Sequence, residues 1–422
     1  MAITGVFDMD NFGDLLFPLS AAHRLASVGL EVAPIAPTAT ASRFPDALAP
    51  LGIEALFDES QRIDGVLIGG GYILHTHRLD LLEQYGAGGL GDWAGPALWL
   101  GATLAAVARE VPIAWNAPGV PHPLATPSLR LAHAALAAAD YASVRDRGAV
   151  EFLSPPAGTD LQVAPDPLAD LARMWPRRSL DSHFRDLLAR KGAAAGQRFV
   201  SISPRSRSMA GLDLEAMARL VDGFATKEGL TPLLVCIGRA HEDDVAARAL
   251  SDKLAAPHLC LDDPLSLREI AAALAGSSLY LGASLHGYIA AAAYDVPGAM
   301  VARPDYRKFS GFLDHVGRPA DRVVGWPEAF ERGSALLRQP AFRGVPETVL
   351  GAIDAHWDRI AHALTHPAAK AEARTAFLRA WARAGMAAGG GAWTSRAFIG
   401  RPDSDRSASL RRLADRALKA AE

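Results

Sequence analysis

Cysteine is nearly absent from this chain, and its scarcity excludes a class of architecture. Cys236 and Cys260 are the two in 422 residues, each inside an apolar run. A disulfide framework or a metal clip is therefore not what stabilises the fold, and a reducing compartment is expected. Positive charge is also not in surplus: 43 Lys and Arg stand against 46 Asp and Glu, a net charge of -3. That balance removes the electrostatic basis for nucleic-acid binding through phosphate neutralisation. No window holds 18 uncharged apolar residues, and the N-terminus MAITGVFDMDNFGD has neither the basic start nor the long apolar stretch of a signal peptide. A cytoplasmic protein is expected. The glycine run at 64–72 is not a GxGxxG fingerprint, the Walker lysine, HExxH and CxxC are missing, and His75 and His77 stand together without a carboxylate cluster, so no metal and no cofactor is expected. No internal repeat of about 20 to 50 residues is present either.

What the chain does have is length and apolar content, with half of its residues hydrophobic. At this size a single core stops growing, and two domains are expected. Short β-rich runs alternate with Ala- and Leu-rich helical stretches, the pattern of parallel sheets covered by helices on both faces. In the first half the strands are ITGVF (3–7), GVLIG (65–69), VPIAW (111–115), YASVR (141–145) and LQVAP (161–165), with helices from about Asp14 to Ser27 and from Trp93 to Arg109. A second series runs through RFVSIS (198–203), TPLLVCIG (231–238), HLCLDD (258–263), SLYLGAS (278–284) and PGAMVAR (297–303). Between them RRSLDSHFRDLLARKGAAAGQ reads as a linker with its own helix. The expected fold is α/β: two Rossmann-like domains, 1–175 and 195–345, facing a cleft, with a helical C-terminal extension over 346–422. In that extension GMAAGGGAW breaks the helical pattern, and SASLRRLADRALKAA reads as a last amphipathic helix with a Ser cap. It is a candidate for docking on its own body, on a partner, or on the surface of an inner membrane.

Five segments stand at strand ends, where open α/β sheets bind ligands. DMDNFGD (8–14) joins the first strand to a helix; Asn11, Gly13 and Asp14 either approach a ligand there or serve as turn and cap residues. DGVLIGGGY (64–72) empties a strand into Gly69, Gly70 and Gly71, whose missing side chains let a backbone approach a ligand or a neighbouring strand. SVRDRGA (143–149) brings Arg145 and Asp146 to a helix start, as an anion clamp or as a brace between domains, and VAPDPL (163–168) puts Asp166 at a Pro-flanked turn. SISPRSRS (201–208) runs a strand into a polar turn where Arg205 and Arg207 stand beside Ser203, Ser206 and Ser208, the make-up of an anion site. LYLGASLHGYIAAAAYDVP (279–297) sets Ser284, His286 and Gly287 where a buried strand meets an Ala-rich helix, with an imidazole at the helix N-terminus.

Taken together, these segments resemble the polysaccharide pyruvyl transferase family over roughly residues 1–345. The carriers are Asn11 to Asp14, Asp64 to Gly71, Ser143 to Asp146, Asp166 with Pro167, and Ser284 to Gly287 with Pro297. One departure is visible: Ser284 stands where the family often has Arg, so the donor contact made there is lost or moved to Arg205, Arg207, Arg303 or Lys308. The resemblance implies a GT-B-like fold and transfer of the pyruvyl group of phosphoenolpyruvate to sugar hydroxyls as a ketal, without metal. It implies His286 and Asp14 as acid and base. The donor would lie against Arg205, Ser284, the amide of Gly287, Arg207 and Lys308; the acceptor would face Asn11, Gly13, Gly69 to Gly71 and Arg145. The expected partners are phosphoenolpyruvate and a sugar or polysaccharide precursor, with lipid linkage and self-association left open. Two alternatives stand beside this: a glycosyltransferase using a nucleotide sugar, for which Asp295 is the only nearby acid, and a non-catalytic binding protein of the same fold.

Overall fold

Every strand of the two main sheets is parallel, and both sheets wind in the same order. The structure, a computed structural model, describes residues 1–79, 83–194, 196–239, 242–339 and 342–395. The first sheet comprises β1 (Ala2–Thr4), β2 (Ala33–Ala36), β3 (Leu51–Gly52), β4 (Val66–Ile68) and β5 (Ile113–Trp115), ordered β3-β2-β1-β4-β5. A parallel bridge from Ala114 to Tyr141 continues it into the pair β6 (Ser143–Val144) and β7 (Gln162–Val163). The second sheet, β8 (Phe199–Ser203), β9 (Thr231–Val235), β10 (Leu259–Leu261), β11 (Leu279–Gly282), β12 (Gly298–Val301) and β13 (Arg322–Val323), runs β10-β9-β8-β11-β12-β13. In both, the order reverses between the first and fourth strands, and a crevice opens there at the carboxyl edge.

The strands are apolar on both faces because helices cover both. β4 is buried throughout, as are β8, β11 and β12. The expected strands all form, in shorter cores. β2, β3 and β13 were not expected: APIA, LG and RV carry little β signal of their own and are held by their neighbours' ladders.

The two halves face each other closely. Asn11 forms an antiparallel bridge with Gly238; the Phe12 amide donates to the Ile237 carbonyl (2.9 Å) and the Arg239 amide to that of Asp10 (3.0 Å). Behind the cleft, the Asp46 carboxylate accepts the amides of Leu267 (2.8 Å) and Arg268 (3.0 Å), capping a helix of the opposite domain.

After the second sheet the chain returns to the first. The helix Glu347–Thr365 buries Val349, Ile353, Trp357 and Ile360, and its His356 links the Tyr141 hydroxyl (2.8 Å) to the Asn116 amide oxygen (2.9 Å). The helix Ala371–Ser395 follows, packed on Thr126–Ala138 with Phe377 buried. GMAAGGGAW was expected to break this helix; it continues to Gly389 and breaks at Gly390 (φ 52°), where Trp393 folds back over Gly385. The expected amphipathic helix at 407–421 lies outside the described residues. No described helix is long and apolar enough to cross a membrane.

Candidate functional site

The site forms where the two switch points meet. From the second domain, β11 runs into Ser284, which caps the helix Leu285–Ala293 by accepting the Gly287 amide (3.3 Å). His286 projects from the first turn across the cleft and lands against the first domain. Its ring stands edge-on to Phe17 (centroids 5.6 Å), and a side chain on Gly13 would come within 1.7 Å of its Nδ1. Nε2 has no hydrogen-bond partner and lies 3.9 Å from the Asp166 carboxylate. Burial brings the imidazole down to about 3, with Asp166 opposing and Arg145, Lys308 and Arg205 reinforcing the shift. His286 is therefore neutral at pH 7.

Asp166 is wholly buried and fully used. Its Oδ1 accepts the Leu168 amide (3.1 Å), and its Oδ2 accepts from Arg145 Nη1 (3.1 Å). Arg145, itself 2% exposed, lies over the Tyr72 ring (4.9 Å). On the first domain Asp14 is half-buried, and its carboxylate makes no hydrogen bond with the described residues; Gly71, in the left-handed region at φ 87°, leaves room for it. Burial raises Asp14 to about 6, against the pull of Lys308, Arg145 and Arg205. Lys308, on the helix Arg307–His315, is brought down to about 7 by burial and by Arg145 and Arg205, with Asp14 and Asp166 opposing. Arg205 reaches the same space while paired through Nε (3.2 Å) and Nη2 (3.4 Å) with the buried Asp243.

His286, Asp14, Lys308, Arg205 and Arg145 are thus brought together, and other candidates acquire different physical reasons. Asn11 caps the helix Phe12–Leu25 by accepting the Gly13 amide (3.1 Å), besides its bridge to Gly238, so it faces the protein. Gly13 is small because His286 occupies the space a side chain would need. A side chain on Gly69 would strike the Thr4 carbonyl (2.4 Å) and one on Gly70 the Phe17 ring (2.2 Å), so this glycine run serves packing and backbone conformation. Gly287 does not open its helix, which starts at Leu285; its amide is spent on Ser284, and its missing side chain accommodates the Tyr280 hydroxyl (2.4 Å). Ser284, 3% exposed, caps the helix through the Gly287 amide. Arg145 is a brace within the first domain. Arg207 is exposed and is not among the leading charges acting on His286, Asp14 or Lys308.

Three contributors escaped the sequence reading. Tyr72 directly follows the glycine run, but nothing in the motif says that two cations will stand over it. Asp243 sits in an acidic run with no motif, and Arg307 in no motif at all. Outside the cleft, the His77 ring lies 5.9 Å from His75 and 5.1 Å from His122 between centroids, yet among the described residues no three side chains are grouped to hold a metal ion.

Comparison with known proteins agrees with this geometry. A family profile described as polysaccharide pyruvyl transferase matches residues 11–306. Among solved structures, the UDP-GlcNAc 2-epimerase from Methanocaldococcus jannaschii is 11% identical over 86% of this chain and 99% of its own, with a TM-score of 0.55. The UDP-N-acetylglucosamine 2-epimerase from Rickettsia bellii is 11% identical over 87% and 96%, at 0.52. A UDP complex of MnaA from S. aureus is 13% identical over 87% and 95%, also at 0.52. Likeness at such identity speaks for the GT-B-type fold alone. Comparison with curated proteins gave no match.

Proposed function

The chain belongs to the polysaccharide pyruvyl transferase family, and on that premise we propose that it transfers the pyruvyl group of phosphoenolpyruvate onto two hydroxyls of a sugar in a polysaccharide or its precursor. The observation that carries this reading is that His286 from one domain and Asp14 from the other stand around the same three cations, Lys308, Arg145 and Arg205. Balanced, the reaction adds a proton to the methylene carbon and joins both acceptor oxygens to the adjacent carbon. The bond from that carbon to the phosphate oxygen breaks. Of the two hydroxyl protons released, one offsets the proton taken up by carbon and the other leaves with phosphate.

The cleft has groups suited to each task. His286 is neutral at pH 7 and so has a free nitrogen to accept a proton; an anion bound beside it would raise its basicity and let it return the proton as an acid. Asp14, ionised above about pH 6, is placed on the acceptor side to take the proton of the second hydroxyl. Cations at the carboxyl edge of the second sheet offset the charge of carboxylate and phosphate. The glycosyltransferase alternative would use Asp295 to hold a ribose, but that carboxylate accepts the Gly344 amide (2.9 Å).

The test is to incubate the protein with phosphoenolpyruvate and candidate hexose-bearing acceptors, following inorganic phosphate and the mass of the acceptor. The expected result is stoichiometric phosphate release with gain of one pyruvyl ketal, both lost in His286→Ala. Sugar transfer from a nucleotide sugar, with no reaction of phosphoenolpyruvate, would replace this reading by the alternative.

A further inference from the structure

The serine at 284 is committed to a helix cap and brings no positive charge to the cleft. Arg145 is held by Asp166, and Arg205 is paired with Asp243 along the one guanidinium edge formed by Nε and Nη2. Arg207 and Arg303 are exposed, and the Arg303 guanidinium lies toward Gly211. Lys308 remains, and its ammonium makes no hydrogen bond or ion pair with the described residues. It faces the rings of Tyr72, Tyr306 and Phe309 at 5.2, 5.3 and 5.9 Å. The charges around it are Arg145 and Arg205, which repel it, and Asp14 and Asp166, which attract it.

The helix that carries Lys308 belongs to the second domain yet is fastened at both ends to the first. Arg307 donates through Nη1 to Asp146 (2.8 Å) and through Nη2 to the Val120 carbonyl (2.7 Å), with its guanidinium 4.2 Å from the Phe152 ring centre. At the other end His315 Nε2 meets the Arg145 carbonyl at 3.0 Å. Two glycines make the docking possible: a side chain on Gly148 would come within 1.7 Å of Arg307, and one on Gly311 within 2.7 Å of Asp146.

We propose that Lys308 is the cation that binds the anionic end of the donor, and that Arg307 is the positioning residue that holds it over the cleft. The inference rests on the donor reading above. Because Lys308 reaches the site only while its helix is docked on the opposite domain, capture of the anion and closure of the cleft are one event.

The test is equilibrium binding of phosphoenolpyruvate and, separately, of inorganic phosphate across neutral pH, with thermal unfolding of each variant as a control on folding. Lys308→Met is expected to weaken phosphoenolpyruvate binding by about 10- to 100-fold, the range for losing a charge-assisted contact. Lys308→Arg should bind at low pH as the wild type does and lose the wild-type decline above about pH 7, where the lysine gives up its proton. Arg307→Ala should weaken binding in the wild-type background and have no further effect in Lys308→Met, since it acts through that residue. Unchanged binding in Lys308→Met, or additive effects of the two substitutions, overturns the proposal while leaving the donor reading intact. Lys308-dependent binding of phosphate without binding of phosphoenolpyruvate keeps the anion site and sinks the donor reading; binding of neither overturns both.

Discussion

The two edges that face the cleft differ in how their polar groups are used. On the first domain most side chains at the edge are engaged by the protein, although Asp146 Oδ2 and Arg145 Nε keep no hydrogen-bond partner. Asp8 accepts from the Thr38 amide (2.9 Å), the Thr38 hydroxyl (2.7 Å) and the Tyr85 hydroxyl (2.5 Å); Asn11 is a cap; Asp146 caps its helix through the Ala149 amide (2.7 Å) and holds Arg307. The second domain brings His286 with an unpartnered Nε2 near Asp166, and Lys308, which has no bonded partner and acts on Asp14, the exception on the first edge. The lesson is that position at a strand end does not distinguish architecture from chemistry, whereas an unmet valence in a buried place does.

The strongest way to break that contrast is His286→Ala. If the unpartnered edge carries the chemistry, kcat/KM falls by about 100- to 10,000-fold, and circular dichroism with a thermal melt shows the fold kept. A variant with near-normal turnover would reduce His286 to an interdomain plug. Gly13→Ala attacks the same imidazole from the satisfied edge. With a methyl group 1.7 Å from Nδ1, the ring must leave its seat; about 100-fold loss of kcat is expected for displacing a reacting group by an ångström, and single-turnover kinetics would register it.

A pH profile sharpens the contrast further. Asp14 works as a base above about 6 and Lys308 is cationic below about 7, so kcat/KM should rise through the first value and fall through the second. The limbs describe a coupled site; a falling limb that persists in Lys308→Arg assigns it to another group. The smallest effect belongs to Ser284→Ala. Losing the cap should cost about 1 kcal/mol in stability, read by urea denaturation, with donor affinity unchanged; a large loss of affinity would return Ser284 to the binding surface.

Much of the architecture could be read from the chain because parallel strands buried on both faces are written as continuous apolar runs, as in FVSIS and LYLG. β2 and β13 could not, since APIA and RV are extended only because neighbouring strands offer a ladder. In the cleft, sequence located the segments and misjudged several side chains. A run of three glycines says that side chains are excluded, but not that Phe17 and the Thr4 carbonyl exclude them. Asp166 advertised a turn, while its approach to His286 depends on two domains meeting. The significance of Lys308 lies in what surrounds it, and none of those neighbours is near it in the chain.

The return of the helix Glu347–Thr365 to the first sheet makes the second domain an insertion within the first. Val349, Ile353, Trp357 and Ile360, which complete the first core, are synthesised after β13, when every strand of the second sheet has already been made. During synthesis the domain begun first is consequently finished last: its sheet waits, with one flank uncovered, while the inserted domain has all it needs to close. A ribosome-bound chain stalled just short of Glu347 should hold a mature second half and an immature first half, the reverse of the usual amino-to-carboxyl order of domain folding.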